Sequence, residues 1–360
     1  MAKRRESKAT QKEPADPEAT VSSFLERFIE EMSGVEVPEQ IAIFTHRSPD
    51  PDAMAAAMGM QWLLQKKFGL SSTIFQEGEV SHPQNKTMVN ILGVQMVRAE
   101  DFDEEKFSKV IIVDATTKNS IQKADVIIDH HRVSLDQETS CVHIEPVGAA
   151  STLIYEYISG LELAFEEDQD QTIATALFLG IRSDTQELIG ETTTDRDFKA
   201  FQELTQSINR KKLSGVLTYP LPVYFFELER ELGRQENMAV GHACFAGCVG
   251  IITPAKRDSL PMLSEKMVRM DGVDTAIIFA IVGDHLEASV RSQNASLDVG
   301  SFCQSLFGKS FAGGKLGSGA ARVPLGIFNL EGSPDEIRDE LWTALKKQIF
   351  HRILHIAGGN

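Results

Sequence analysis

The stretch Thr45-His46-Arg47-Ser48-Pro49-Asp50-Pro51-Asp52 places one imidazole and two carboxylates within seven positions, with two prolines stiffening the turn. Carboxylate oxygens suit hard divalent ions such as Mg2+ and Mn2+, and an imidazole among them moves the preference toward Mn2+ or another transition metal. Further on, Asp114 closes the apolar run Val110-Ile111-Ile112-Val113, and Asp129-His130-His131 closes Val126-Ile127-Ile128. A carboxylate at the end of a buried strand needs a partner, which either a metal or a cap can supply. A fourth acidic residue, Asp184, lies in Gly180-Ile181-Arg182-Ser183-Asp184-Thr185, after a run rich in Ala and Leu. Each segment alone has a plainer explanation: an acidic loop with a stray histidine, a solvated strand-end aspartate, a helix cap. An Asp-His-His triplet at a second strand end fits those explanations poorly, and together the four segments read as a metal site.

Elements must bring these segments together. From Gln40 onward, short apolar runs alternate with helical periodicity, which predicts a parallel sheet covered on its faces. Strands are expected over 41–45, 72–75, 109–114 and 124–129, and helices over 53–68, 149–158, 168–180 and 194–208. Ligands of open parallel sheets bind at the carboxyl ends of the strands. Three separate strands would therefore deliver the 46–52 segment, Asp114 and Asp129-His130-His131 to one edge. The predicted fold class is α/β: a parallel-sheet domain with helices on both faces, plus a smaller α/β domain. Residues 1–20, charged and without periodicity, read as a disordered tail, and 21–208 as the first domain, opening on a helix with Phe24, Phe28 and Ile29 at helical spacing. Residues 209–236, with Lys211, Lys212, Gly215 and two prolines, read as a linker. The second domain is expected over 237–360, with strands over 239–252, 276–282 and 286–291 and a terminal helix over 334–355.

With these motifs in order, the chain resembles the DHH phosphoesterase superfamily, in particular its DHH–DHHA1 group of nanoRNase/pAp-phosphatases, cyclic-dinucleotide phosphodiesterases and RecJ-type exonucleases. The matching motifs are His46-x-x-Pro-Asp50-x-Asp52-Ala, Val-Asp114, Asp129-His130-His131 and Gly-Ile-x-Ser-Asp184-Thr. The resemblance implies two Mn2+ ions per active site, with Mg2+ as the substitute. His46, Asp50 and Asp114 would hold one ion; Asp52, Asp114, His130 and Asp184 would hold the other. It further implies that Asp129 orients His130 and that His131 faces the phosphate. In the second domain, Arg291-Ser292 and the glycine-rich Gly313-Gly314-Lys315 are similar to the family's substrate-binding segments, except that lysine stands where the family has histidine. Glycines let a backbone approach and offer its N–H groups to phosphate, although such a run is also an ordinary turn. Arg132 is a further candidate for a second phosphate, with a solvated arginine as the alternative.

A composition of 42% hydrophobic and 24% charged residues is that of a folded globular chain. A formal net charge of −16 argues against long duplex nucleic acid and against an anionic membrane surface. The expected partner is thus a small nucleotide or a short single-stranded oligonucleotide, neutralised locally by metal; a homodimer is implied by the resemblance. Cys141, Cys244, Cys248 and Cys303 show no paired spacing, which suits a reducing cytoplasm, and no apolar run approaches the roughly 20 residues of a membrane helix. His351 and His355 lie four apart but lack a glutamate after the first, so packing or surface is their reading. The function expected is metal-dependent hydrolysis of short oligoribonucleotides or of nucleotides such as 3′-phosphoadenosine 5′-phosphate. The alternatives are a cyclic-dinucleotide phosphodiesterase, a pyrophosphatase, or a nucleotide-binding regulator without turnover, the last suggested by Lys315.

Overall fold

Runs rich in Ile, Val and Phe suit the half-buried surface of a sheet. In the first part of the chain they form β1 (Gln40–Phe44), β2 (Ser71–Gln76), β3 (Met96–Arg98), β4 (Phe107–Val113), β5 (Val126–Asp129) and β6 (Cys141–Ile144). The computed structural model describes residues 17–36, 40–118, 120, 122–131, 139, 141–241, 243–315, 317–328 and 333–357. Two compact units meet in sequence at Tyr219 and Pro220. In the first, the strands form one sheet in the order β3-β2-β1-β4-β5-β6, with every neighbouring pair parallel. The chain builds outward from β1 to β3 and then returns to the other side of β1 with β4. The loops leaving β1 and β4 therefore diverge, and the crevice between them is where an open parallel sheet binds its ligand.

The first unit's helices are α1 (Pro17–Ser33), α2 (Pro51–Phe68), α3 (Pro83–Leu92), α4 (Ala150–Gly160), α5 (Asp168–Asp184), α6 (Asp195–Leu204) and α7 (Arg210–Leu217). Side chains alternate across β1: Ile41 and Ile43 join the core that holds Met54 and Leu63 of α2, Leu153 of α4 and Leu177 of α5. Ala42 and Phe44 face the opposite layer. There Phe44, Phe75, Phe102 and Phe107 pack with ring centroids 5.1 to 5.4 Å apart.

The second unit comprises α8 (Val223–Leu232), β7 (Met238–Gly241), β8 (Cys244–Ile252), α9 (Ser259–Met267), β9 (Thr275–Val282), β10 (His285–Ser292), α10 (Val299–Phe307), β11 (Ala312–Lys315), β12 (Ser318–Pro324) and α11 (Asp335–Ala357). Its sheet runs β11-β12-β10-β9-β8-β7, with β8 and β9 parallel and the other pairs antiparallel. One face packs Phe245 and Ile278 with α8 and α9; the other packs Ile277 and Phe279 with α10 and α11.

Three expectations change. The tail expected over 1–20 gives way to helix from Pro17, with residues 1–16 outside the described residues. The segment 209–236 is mostly helical. Asn209 caps α7 by accepting the Lys212 N–H at 3.0 Å, Val216 is buried, and Phe225, Leu228 and Leu232 bury one face of α8. Its prolines separate two helices and do not mark a free linker. The strand expected over 239–252 is the antiparallel hairpin of β7 and β8, turned at Ala243 in the left-handed region (φ 58°). Cys244 and Cys248 are buried in β8, as strand-core residues. Among the described residues no helix is long and apolar enough to cross a membrane.

Arg196 of α6 ties the helical layer to the sheet, pairing with Glu145 after β6 and with Glu156 of α4. Burial pushes the Glu145 carboxyl up, but His143 and Arg196 outweigh it and hold the group at about 2, below its ordinary 4.5. The folded value lies below the unfolded one, so this stabilisation is complete above the ordinary value and is lost as pH falls toward 2. Arg196→Leu is expected to cost about 1–3 kcal/mol, between the effects for exposed and buried pairs. Urea melts of both proteins at neutral and at acid pH check this: the difference should shrink in acid, and a constant difference would contradict it.

Candidate metal centre

The site is built where β1, β4 and β5 end. After β1 the chain turns at Ser48 (φ 57°), whose N–H donates to the Glu77 carbonyl at 2.8 Å. Asp50 then caps α2, its Oδ1 accepting the N–H groups of Asp52 and Ala53 at 3.0 Å each, and Pro51 takes the first helical position, where no N–H is needed. Asp52, in the first turn, is buried, and its carboxylate accepts the N–H groups of Ala150 (2.6 Å) and Ser151 (2.9 Å) at the start of α4. Helix α5 can pass this point because residue 180 has no side chain: a Cβ there would lie 2.2 Å from Ser151 Oγ and 2.9 Å from Asp52 Oδ1.

Asp114 follows β4 directly and takes a left-handed backbone (φ 53°), uncommon outside glycine. Asp114 is 2% exposed, and Asp129, ending β5, is 0% exposed. Asp129 Oδ1 accepts the N–H groups of His130 (2.8 Å) and His131 (3.2 Å) and meets His131 Nδ1 at 2.9 Å. It therefore orients the His131 ring, where the resemblance implied His130. The His130 ring is set by a group that the sequence reading missed, the Val147 carbonyl, 3.0 Å from Nδ1. That segment is held in turn by buried Asp197, which accepts the Gly148 N–H (2.8 Å), the Thr152 hydroxyl (2.5 Å) and the Thr194 N–H (2.8 Å). The Thr194-Asp-Arg-Asp197 capping spacing was the available signal for Asp197; a backbone carbonyl leaves none.

Around these anchors the ligating atoms converge. His46 Nε2 lies 3.8 Å from Asp50 Oδ1 and 3.5 Å from Asp114 Oδ2. His130 Nε2 lies 3.2 Å from Asp114 Oδ1, 3.2 Å from Asp184 Oδ2 at the end of α5, and 3.9 Å from Asp52 Oδ2. Three groups form, each with its ligating atoms within 4.8 Å of one another: His46, Asp50 and Asp114; Asp52, His130 and Asp184; Asp114, Asp129, His130 and His131. Asp114 is common to the first and third, and its two oxygens face different histidines.

The charges are crowded. Burial and the Asp114 and Asp184 carboxylates push Asp52 upward. Burial opposes the charge on His46 and His130, yet their neighbouring carboxylates hold them at about 11 and about 10; burial likewise opposes the charge of Asp114, but the two histidines hold it at about 2. The pattern is an excess of carboxylate that calls for positive charge. Asp114 Oδ1, Asp129 Oδ2 and His130 Nε2 are buried with no hydrogen-bond partner among the described residues. A proton on His130 Nε2 and a divalent cation compete for one position, because a ligating imidazole must be neutral. Oxygen donors with two imidazoles fit Mn2+, and also Mg2+.

Residues 40–181 match the DHH family, N-terminal domain. The first unit is built on a DHH domain. A protein of undescribed function from Methanocaldococcus jannaschii is 30% identical to this chain over 318 residues, covering 87% of this chain and 64% of that one. A probable manganese-dependent inorganic pyrophosphatase of Streptococcus pyogenes is 29% identical over 180 residues, covering 46% of this chain and 55% of the pyrophosphatase. The chain thus spans less than two thirds of either relative. An exopolyphosphatase-related protein from Bacteroides fragilis shares the fold, with a TM-score of 0.64 at 13% identity, over 91% of this chain and 98% of that one.

Outside the DHH domain, the second unit gathers its own candidates at one end of its sheet. Arg291 and Lys315 both pair in register with Ser318, from β10 and from β11. The Ser292 N–H donates to the Gly317 carbonyl at 2.9 Å, which ties it to the same turn. The glycine-rich segment is a β-hairpin, and its glycines serve close packing: a Cβ on Gly314 would lie 2.5 Å from the Ser318 carbonyl oxygen, and one on Gly319 would lie 2.4 Å from Cys303 Sγ. Gly313 has open space beside it. Arg291 already pairs with Glu265 at 3.0 Å, and the Ser292 hydroxyl contacts Thr275 Oγ1 at 2.9 Å. The Lys315 side chain and Arg132 lie outside the described residues.

Gly180→Ala separates two effects. A helical alanine gains about 0.5–1 kcal/mol over glycine, while overpacking costs about 1–3 kcal/mol. With Ser151 Oγ and Asp52 Oδ1 in the way, the clash should dominate and thermal unfolding should move down. A melting temperature at or above that of the wild type would contradict this packing.

Proposed function

We propose that this chain is a metal-dependent phosphoesterase that hydrolyses short oligoribonucleotides or small nucleotides such as 3′-phosphoadenosine 5′-phosphate. The observation that carries the reading is the pair of ligand groups at the sheet's reversal point, joined through the two oxygens of Asp114. The match of residues 40–181 to the DHH family supports phosphate chemistry, and the manganese named for the pyrophosphatase relative supports the choice of ion.

In this reading His46, Asp50 and Asp114 hold one Mn2+, and Asp52, Asp114, His130 and Asp184 hold a second, with Mg2+ as substitute. Such an ion pair, when bound, acidifies water, aligns it with the leaving oxygen and neutralises phosphate charge. The protein's own contribution is position and protons. The Val147 carbonyl turns His130 Nε2 toward Asp114 and Asp184. Asp129 fixes Nδ1 of His131, whose side chain is 51% exposed, leaving Nε2 to give or take a proton at an ester oxygen. Arg291, Ser292, Gly313, Gly314 and Lys315 are substrate-binding residues in this reading, and so is Arg132. A net charge of −16 supports a short ligand over a long duplex. Four free, buried cysteines support a reducing cytoplasm.

Purified protein with Mn2+ is to be assayed on 3′-phosphoadenosine 5′-phosphate, a linear dinucleotide, a five-nucleotide RNA, a cyclic dinucleotide and pyrophosphate. Asp114→Ala is expected to lower turnover by more than the roughly 10- to 100-fold that losing an outer partner of a metal site costs, with circular dichroism unchanged. Undiminished turnover in the folded variant would remove Asp114 from the centre. Turnover of pyrophosphate alone would replace the nucleotide reading with the pyrophosphatase one.

A further inference from the structure

The segment after Asp184 is strained in a way that the metal groups do not explain. Gln186, Glu187 and Leu188 follow one another at φ 51°, 66° and 67°. Non-glycine residues pay a conformational cost for that region, and they hold it only where the surroundings over-determine it. Here they do. The Glu187 N–H donates to the Arg182 carbonyl (2.8 Å), the Leu188 N–H to Thr185 Oγ1 (3.1 Å) and the Gly190 N–H to the Thr185 carbonyl (2.8 Å). Arg182 pairs with Glu187 at 2.6 Å. The turn presents Gln186 to a pocket of about 150 Å³.

This pocket adjoins the metal centre through the chain itself: Pro51 in its wall stands between Asp50 and Asp52, and Ser183 precedes Asp184. Met88, Leu179 and Val216 give it an apolar floor, while Gln84, Gln186 and the Arg182–Glu187 pair line its rim. At that volume it is smaller than the roughly 300–1,000 Å³ of a site for a drug-sized ligand, so it suits one small ring system. It does not suit phosphate, because its one arginine is already paired and carboxylates stand next door. Neither side-chain amide, of Gln84 or of Gln186, makes a hydrogen bond among the described residues. An amide offers donors and an acceptor together, which matches the edge of a heteroaromatic base; a thioether and a guanidinium plane suit its faces.

We propose that this pocket is the nucleobase subsite of the centre, with Gln84 and Gln186 as the residues that read the base; this rests on the nucleotide reading given above. The strain at Gln186 is then the cost of aiming its amide. Isothermal titration of the full chain in Mn2+ with adenosine 5′-monophosphate and with ribose 5-phosphate tests it, using Gln84→Ala and Gln186→Gly. Each variant should bind the nucleotide about threefold to tenfold more weakly, the loss of a hydrogen bond, and leave ribose 5-phosphate binding unchanged. Gln186→Gly should also melt higher, since glycine accepts the left-handed backbone. Equal affinity of the wild type for the two ligands, or equal losses for both in the variants, would overturn the subsite while leaving the phosphoesterase reading intact. Base-dependent binding without hydrolysis of any ester would leave the subsite standing and overturn the phosphoesterase reading.

Discussion

The structure of the first unit turns on keeping like charges together. Three carboxylates, Asp52, Asp114 and Asp184, stand within 4 Å of one imidazole nitrogen, His130 Nε2. Asp52 and Asp184 place ligating oxygens within 4.8 Å of each other, and two unit charges about 5 Å apart repel by roughly 3 kcal/mol at an effective dielectric constant near 20, a sizeable fraction of the margin of a folded domain. Positive charge must offset it, from protons on His46 and His130 or from divalent cations. Much of the nearby architecture serves the same end. Two N–H groups at the start of α4 hold Asp52, Gly180 makes room beside it, and Asp197 braces the segment whose carbonyl aims His130.

How much of this the sequence disclosed depends on the element. Strand ends were legible because an apolar run that stops at Asp114 or Asp129 fixes both the position and the edge of the sheet on which it falls. Asp184 was legible only through its company, since a helix end alone resembles a cap. The 209–236 segment misled because prolines and lysines mark linkers and helix boundaries alike, and only tertiary burial of Val216 and Phe225 distinguishes the two. The support for His130 was hidden for a different reason. It is a main-chain carbonyl, and any residue at position 147 would carry one.

The second unit solves a different problem. Arg291 and Ser292 are not crowded by like charge; they are already partnered, by Glu265 and by Thr275. Arg291 and Glu265, with side chains 25% and 54% exposed, form a pair of the kind worth little in water, so exchanging Glu265 for a ligand anion costs little. The glycines read first as a phosphate cradle are required by the hairpin itself, which leaves Gly313, with open space beside it, as the glycine whose absent side chain the packing does not explain.

Backbone strain separates what the fold needs from what the site needs. Of the seven non-glycine residues in the left-handed region among those described, five are Ser48, Asp114, Gln186, Glu187 and Leu188. All five lie in the turns that follow β1, β4 and α5, three of the elements that deliver the metal-ligating side chains. A sequence chosen for stability would place glycine, asparagine or aspartate in such turns, and of the five only Asp114 is of those types. Elsewhere the same unit follows the economical rules: α2 begins on an aspartate cap with proline behind it and ends on Gly69 at φ 70°. Conformational cost is thus concentrated at the crevice, with Glu162 after α4 (φ 56°) the one other such residue among the unit's described residues, which is the distribution expected when side-chain position at a site outweighs local backbone preference.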